Sequence, residues 1–400
     1  MPNRVCVLRY GWQPFIMTPL WNLIDALHSR GVACTVVKSY ARSDLGFSEE
    51  PHPRAEARYF RLCARALKRV PVLGKAAPML GWAEFQARAF WRAWRTEAGV
   101  VVSIDVDTLP AAWLAARLKR AGLVFYSYEL YTDREWMPAK WFWAWLERRL
   151  IKRADVVVAC EPNRGRILQE RYGLAETPMT VLNVPPRAEP RPRTGRIRAY
   201  LRAQGIGDTA KIAYFHGWII PIRCCDTFVE AMRQVDDDVV LFFIGPIEAA
   251  FKQELLTKVA AYGLEKRVVF HPMAASEELM EFAVDADLGL QAQLNVGLNS
   301  YYCAPIKLYQ YLSAGLPVVA SNFPGMLEVV EQNNVGRCVD PESVDDIAAA
   351  INEVMRDDAL RREMSENALR IARERYCYEV EGEKLLDAIA RLLKRGKERT

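Results

Sequence analysis

Short apolar runs separated by stretches of helical periodicity recur along almost the whole chain, and few folds accommodate that arrangement. The runs fall at residues 5–9, 33–37, 99–104, 123–127, 156–159 and 179–182 in the first half. In the second half they fall at 211–215, 239–244, 268–271, 288–291, 317–320 and 336–339. Strands that are apolar throughout have to be covered on both faces, which calls for helices above and below a parallel sheet. The alternation therefore predicts an α/β protein built from βαβ units. At 400 residues the chain exceeds what one core usually serves. The segment Val184-Pro-Pro-Arg-Ala-Glu-Pro-Arg-Pro-Arg can form neither a helix nor a central strand, and it marks the boundary. The expected division is a first Rossmann-like domain over 1–186, a linker over 187–199 and a second Rossmann-like domain over 200–376. A last helix within 377–400 is expected to return to the first domain.

Charge divides the chain at nearly the same place. Residues 1–200 hold 32 Lys and Arg against 18 Asp and Glu, a balance of +14, whereas residues 201–400 hold 22 against 31, a balance of −9. Ten of the eleven Trp lie before residue 154. Residues 53–97 carry ten Lys and Arg and no strand signal, so they read as a basic, Trp-rich helical insertion. Residues 134–153 set Trp136, Trp141, Trp143 and Trp145 among Lys140, Arg148, Arg149, Lys152 and Arg153. Basic helices with indoles on one face suit an anionic membrane surface, although the same aromatics could instead pack inward. Nucleic acid is not expected, because no recognisable binding module accompanies the charge. No run of apolar residues is long enough to span a bilayer and no secretory leader is evident. Nine Cys without a Cys-x-x-Cys pair argue against a disulfide framework and a zinc site, and so for a reduced, cytosolic chain.

Dinucleotide and Walker-type phosphate loops are absent from the sequence. His216 and His271 both end predicted strands of the second half, where open α/β sheets bind ligands, so each is either a pocket residue or packing. Asp105-Val-Asp107 could hold a divalent cation, or Asp107 or Thr108 could cap the helix that starts near Pro110. The densest signal runs from Ser300 to Ser321. It reads as a loop, a helix over 305–314, a glycine cap at Gly315 and a buried strand. Lys307 in the first turn opposes the helix dipole and calls for an anionic partner such as a diphosphate. Gln310, one turn later on the same side, could reach a ribose.

This segment resembles the donor-site motif of retaining glycosyltransferases of the GT-B fold, family 4-like, the group that includes bacterial surface-polysaccharide enzymes. The resemblance continues in Gly217 through Arg223, in Leu241-Phe-Phe-Ile-Gly245-Pro, and in Phe270-His-Pro-Met273 followed by Ser276-Glu-Glu-Leu. In the first half it is carried by Asp105 through Pro110, by Leu123-Val-Phe-Tyr-Ser-Tyr128-Glu129-Leu-Tyr131, and by Ala154-Asp-Val-Val-Val. Residues 40–97 fall outside it. The sequence departs from the family pattern in two places. A pair of Glu is replaced by Tyr302 and Gln310, and Tyr128 stands where a His commonly precedes Glu129.

The resemblance implies two facing domains with a cleft between them and transfer from a nucleotide-diphosphate sugar without a metal or other cofactor. It assigns Arg223, Lys307, Tyr128 and Glu129 to catalysis. Gly217, Gly245, His271, Met273, Tyr302, Cys303 and Gln310 would bind the donor, and Asp105 and Asp107 would lie on the acceptor side. Composition adds a lipid-linked acceptor, of polyprenyl-diphosphate glycan type, at the cytoplasmic face of the inner membrane. An epimerase or hydrolase of the same fold, or a catalytically silent subunit of an assembly complex, are the alternatives.

Overall fold

The computed structural model describes residues 3–11, 18–40, 51–63, 76–134 and 137–398. Trp136 and residues 64–75 of the basic segments lie outside them. The chain divides into a first unit, Met1–Asn183 with Glu381–Thr400, and a second unit, Val184–Val380.

The first unit is a parallel sheet of seven strands: β1 (Arg4–Arg9), β2 (Ala33–Tyr40), β3 (Ala55–Arg61), β4 (Val100–Ile104), β5 (Gly122–Ser127), β6 (Val156–Ala159) and β7 (Met179–Thr180). Their spatial order is β3-β2-β1-β4-β5-β6-β7. The second unit holds β8 (Lys211–His216), β9 (Val239–Ile244), β10 (Val268–His271), β11 (Leu288–Gln291), β12 (Val318–Ser321) and β13 (Gly336–Val339), in the order β10-β9-β8-β11-β12-β13. Both are α/β sheets of Rossmann type, with order reversing between β1 and β4 and between β8 and β11. Ligands of such sheets sit at the carboxyl ends of the strands near these reversals. Helices cover both faces, which is why β4 and β9 are buried at every position.

Residues 53–97 are no insertion. They supply strand β3, paired in parallel with β2 from Cys34↔Ala55 to Tyr40↔Arg61, and the helix Ala77–Arg95. The strand was illegible because Ala-Glu-Ala-Arg-Tyr-Phe-Arg is an edge strand, whose exposed charges pair along the sheet margin, as in Arg4–Glu56 and Arg58–Glu56. The helix is amphipathic, turning Gly81, Phe85, Ala89 and Ala93 into the core.

The expected linker is also partly structured. The Asp285 carboxylate accepts from the backbone N–H groups of Thr194, Gly195 and Ile197, and the helix Arg196–Ala203 follows. These bonds tie residues 194–197 to the second unit. The helix Glu383–Glu398 belongs to the first unit. It packs so closely on β5 that a Cβ on Gly122 would stand 2.9 Å from Leu392 Cβ, and Arg30 bonds to both Glu383 and Asp387.

Candidate functional site

In the second unit the carboxyl ends of β8 and β9 turn through Gly217 and Gly245, whose φ angles of 107° and 148° favour glycine. A Cβ on Gly245 would lie 2.1 Å from Gly217 O, so the two turns touch backbone to backbone. Ile219 N–H then bonds Pro246 O, and a 3₁₀ turn, Pro221–Arg223, leads into the helix Cys225–Ala231. The Arg223 guanidinium donates to Trp218 O at 3.3 Å and lies under Gly217, where an added Cβ would be 3.2 Å from Nη1. That hydrogen bond goes to a neutral carbonyl and not to a carboxylate.

The helix Ile306–Ser313 starts after Pro305 and stops at Gly315, at φ 72°. Lys307, in its first turn, is only 7% exposed. Its Nζ sits 3.8 Å from the centre of the Phe215 ring and has no hydrogen-bond partner among the described residues. Burial, with the Arg223 charge adding to it, holds this amine well below the usual lysine range. Gln310 accepts a hydrogen bond from His216, with Oε1 3.0 Å from Nε2. The His216 backbone N–H donates to Tyr311 Oη at 3.1 Å. Tyr311 in turn lies flat on β11, where a Cβ on Gly289 would come within 2.5 Å of its ring. Gly217, Gly245, Arg223, Lys307 and Gln310 thus converge. Cys303 is near, its thiol held by Gln293 Nε2 at 3.0 Å, and it contributes to the field at Lys307.

The remaining donor-side residues lie further along the same edge. His271 ends β10 and packs between Tyr200, at 4.5 Å, and Phe282, at 4.9 Å, with Nδ1 2.6 Å from Pro272 O. Met273 is exposed. Tyr302 closes the short helix Leu298–Tyr301 and rests edge-on against Tyr301.

In the first unit the carboxyl ends of β4 and β5 hold a different arrangement. Asp105 is 1% exposed, at φ 59°. Its Oδ1 accepts from the N–H groups of Tyr128 (2.9 Å) and Glu129 (3.4 Å), and its Oδ2 meets Arg9 (3.1 Å) and Arg134 (3.3 Å). Both oxygens are committed within the protein, so Asp105 shapes the β5 turn and offers neither a cation nor an acceptor a free lone-pair face. Asp107 accepts from Tyr131 Oη at 3.0 Å, while its other oxygen is buried without a partner. Burial and the neighbouring Asp105 push its carboxyl up to about 7. Neither Asp107 nor Thr108 caps the next helix with its side chain. The Thr108 hydroxyl turns back to Ile104 O and Ser103 Oγ. Tyr128 is buried, stacked on Tyr126 at 4.5 Å, with its carbonyl accepting from Arg164 Nη1. Glu129 pairs with Arg134 and is 40% exposed.

Phe215, Arg9 and Arg134 belong to these two clusters and were not singled out from sequence. His216, read from sequence as either pocket or packing, bonds Gln310 within the second-unit cluster.

Comparisons with known proteins follow the same division. Residues 19–183 match the family model Glycosyltransferase Family 4, and residues 197–370 match Glycosyl transferases group 1. The structure is similar to that of HepE from Anabaena, solved with UDP and glucose. The TM-score is 0.75 at 18% identity, over 97% of this chain and 99% of that one. Two curated relatives match shorter segments. The chitobiosyldiphosphodolichol beta-mannosyltransferase of Candida albicans is 30% identical over 104 residues, 26% of this chain. The alpha-1,3/1,6-mannosyltransferase ALG2 of Dictyostelium discoideum is 28% identical over 148 residues, 36% of this chain. The matches span only 22% and 34% of those relatives. With one glycosyltransferase model on each Rossmann-like unit, in this order, the chain belongs to the family 4-like glycosyltransferases of the GT-B fold.

Proposed function

We propose that the chain transfers a hexosyl group, with retention, from a nucleotide-diphosphate sugar to a lipid-linked glycan in surface-polysaccharide synthesis. One observation carries this reading: Lys307 is a buried cation-forming group with no hydrogen-bond partner among the described residues, set beside Arg223 where two glycine turns bring backbone close. A buried amine left unpaired is costly unless a ligand completes it. A diphosphate supplies the missing charge, and it gains more as the glycosidic bond breaks. Cations fixed in advance then lower the barrier, in the role a metal would otherwise fill. Gly217 and Gly245 would let the phosphates approach, and His271, Met273, Tyr302 and Cys303 would take the base and sugar. The family resemblance assigns Tyr128 and Glu129 to catalysis, and Asp105 and Asp107 would hold their turn in place. Retention rests on the family, and HepE's complex with UDP and glucose supports the donor class.

The acceptor reading draws support from the two mannosyltransferase relatives, one named for a dolichol-diphosphate substrate. It also draws on exposed indole side chains of two basic helices. Trp91 is 50% exposed on Ala77–Arg95, and Trp141 (77%) and Trp145 (51%) project from Lys140–Leu150. Arg95 and Arg149 lie over the rings of Trp91 and Trp145. Indoles ringed by guanidinium groups suit the headgroup layer of the anionic cytoplasmic face. Trp143 is excluded from that surface, being buried against Trp82 and Tyr131. No helix among the described residues is long and apolar enough to cross a membrane.

Calorimetry with UDP, ADP and GDP, followed by turnover of the matching sugar nucleotides with and without EDTA, tests the donor reading. Lys307→Ala or Arg223→Ala should lower kcat by roughly 10²–10³. Wild-type turnover by both variants would refute the site, and binding without any sugar release or transfer would favour the silent subunit. Co-sedimentation with anionic but not neutral vesicles, lost in Trp91/Trp141/Trp145→Ala, tests the membrane surface. Equal pelleting with both vesicle types would remove it.

A further inference from the structure

His216 has two attachments to the helix that carries Lys307, and neither is explained by packing alone. Its backbone N–H holds the Tyr311 hydroxyl, and its ring holds Gln310 on the preceding residue. The ring is 5% exposed and wedged between Tyr214, at 5.5 Å, and Tyr311, at 5.0 Å. An amide oxygen can only accept, so a 3.0 Å contact between Nε2 and Gln310 Oε1 places the single ring proton on Nε2. The other nitrogen, Nδ1, is then a bare acceptor, and it is buried without a hydrogen-bond partner among the described residues. The groups around the ring are Lys307, Arg223, Gln310, Tyr214 and Tyr311. Burial and the two cations push the imidazole down to about 3, so it stays neutral at working pH and the tautomer does not change.

We infer that His216 is a positioning residue that locks the Gln310 amide with its oxygen turned inward, leaving the amide nitrogen as the group offered to the ligand. This rests on the donor-site reading above. A primary amide can otherwise rotate by half a turn and present either atom. With Oε1 held, the Gln310 Nε2 hydrogens have no hydrogen-bond partner among the described residues. A nucleotide hydroxyl at this point is met by an N–H donor, whereas a carboxylate there would meet it as an acceptor. The edge of the site near Gln310 therefore selects an oxygen with a free lone pair. The glutamine and the histidine act as one unit although they lie 94 residues apart.

UDP titration of the full chain tests this with a double-mutant cycle. His216→Leu should weaken UDP binding about tenfold, the scale of one lost hydrogen bond in a buried site. His216→Gln, whose amide nitrogen can take the Nε2 position, should remain within about twofold of the unmodified protein. In a Gln310→Ala background, His216→Leu should cost nothing further. Should His216→Leu fail to fold, as read by its melting curve, His216→Asn replaces it, because the shorter amide cannot reach Gln310 and should show the same tenfold loss. An equal loss with and without Gln310, no loss at all, or failure of His216→Gln to rescue would overturn the role. Absence of UDP, ADP and GDP binding by the unmodified chain would instead overturn the donor reading beneath it.

Discussion

Asp105 in the first unit and Lys307 in the second occupy comparable places, each beside the carboxyl ends of strands in a parallel sheet and each almost fully buried. Asp105 is matched on every side by Arg9, Arg134 and two backbone N–H groups. Among the described residues Lys307 is met by the face of Phe215 and by no hydrogen-bond partner, with Arg223 adding a like charge. The first arrangement is complete as it stands and holds a turn rigid. The second is left open, at a cost in stability, for an anion that arrives from outside. Buried charge is therefore informative about ligands only after its partners have been counted.

Breaking the closed cluster should have the largest effect. Asp105→Ala leaves Arg9 and Arg134 without their shared carboxylate and should destabilise the first unit by about 3–5 kcal/mol. Asp105→Asn, which tolerates the left-handed backbone and still accepts from the β5 turn, should lose less. Melting curves of the two variants measure the difference, and equal losses would show that charge pairing is all that matters there.

Removing the open charge should have the opposite sign. Lys307→Met should stabilise the ligand-free protein by about 1–3 kcal/mol while weakening nucleotide binding. The native amine binds its proton less tightly than the unfolded one, so the penalty shrinks as pH rises toward the ordinary lysine range. The gain from Lys307→Met should therefore be larger at pH 7 than at pH 10. A gain that does not change with pH would mean that packing, and not charge, is responsible.

Asp107 sharpens the contrast on a smaller scale. Its carboxyl is raised to about 7, so the folded protein holds a proton that the unfolded chain has already released. The resulting stability is present at low pH and is lost as pH climbs through about 7. Asp107→Asn should abolish that decline, for a net gain at pH 8 of about 1–2 kcal/mol. Unfolding midpoints from pH 4 to 8 report it, and parallel curves for the two proteins would exclude the assignment.

The sheets were readable from sequence where burial on both faces forces an unbroken apolar run. Val-Val-Leu-Phe-Phe-Ile at 239–244 is both the signal and strand β9. Strand β3 was not readable, because an edge position lets Glu56, Arg58 and Arg61 sit within it. Lys307 stood out because a cation in the first turn of a helix opposes the dipole there, and Arg223 through the family resemblance. The pairing of His216 with Gln310, and of Asp105 with Arg9 and Arg134, depends on contacts across 94, 96 and 29 residues. No local pattern reports such contacts. Thus Asp105-Val-Asp107 could be read as a metal ligand or a cap, whereas its carboxylates bond Arg9, Arg134 and Tyr131 and cap no helix.

The helix Glu383–Glu398 closes over β5 of the first unit, although the whole second unit intervenes in the chain. Bringing those two parts together across roughly 200 residues of disordered chain would cost on the order of 5 kcal/mol in loop-closure entropy. The second unit removes that cost by folding, because Tyr378 N–H bonds Pro185 O and Arg187 N–H bonds Glu379, drawing its entry and exit side by side. The first unit's sheet is thus completed by a helix from beyond the second unit, which the folded second unit holds within a short local step of its place.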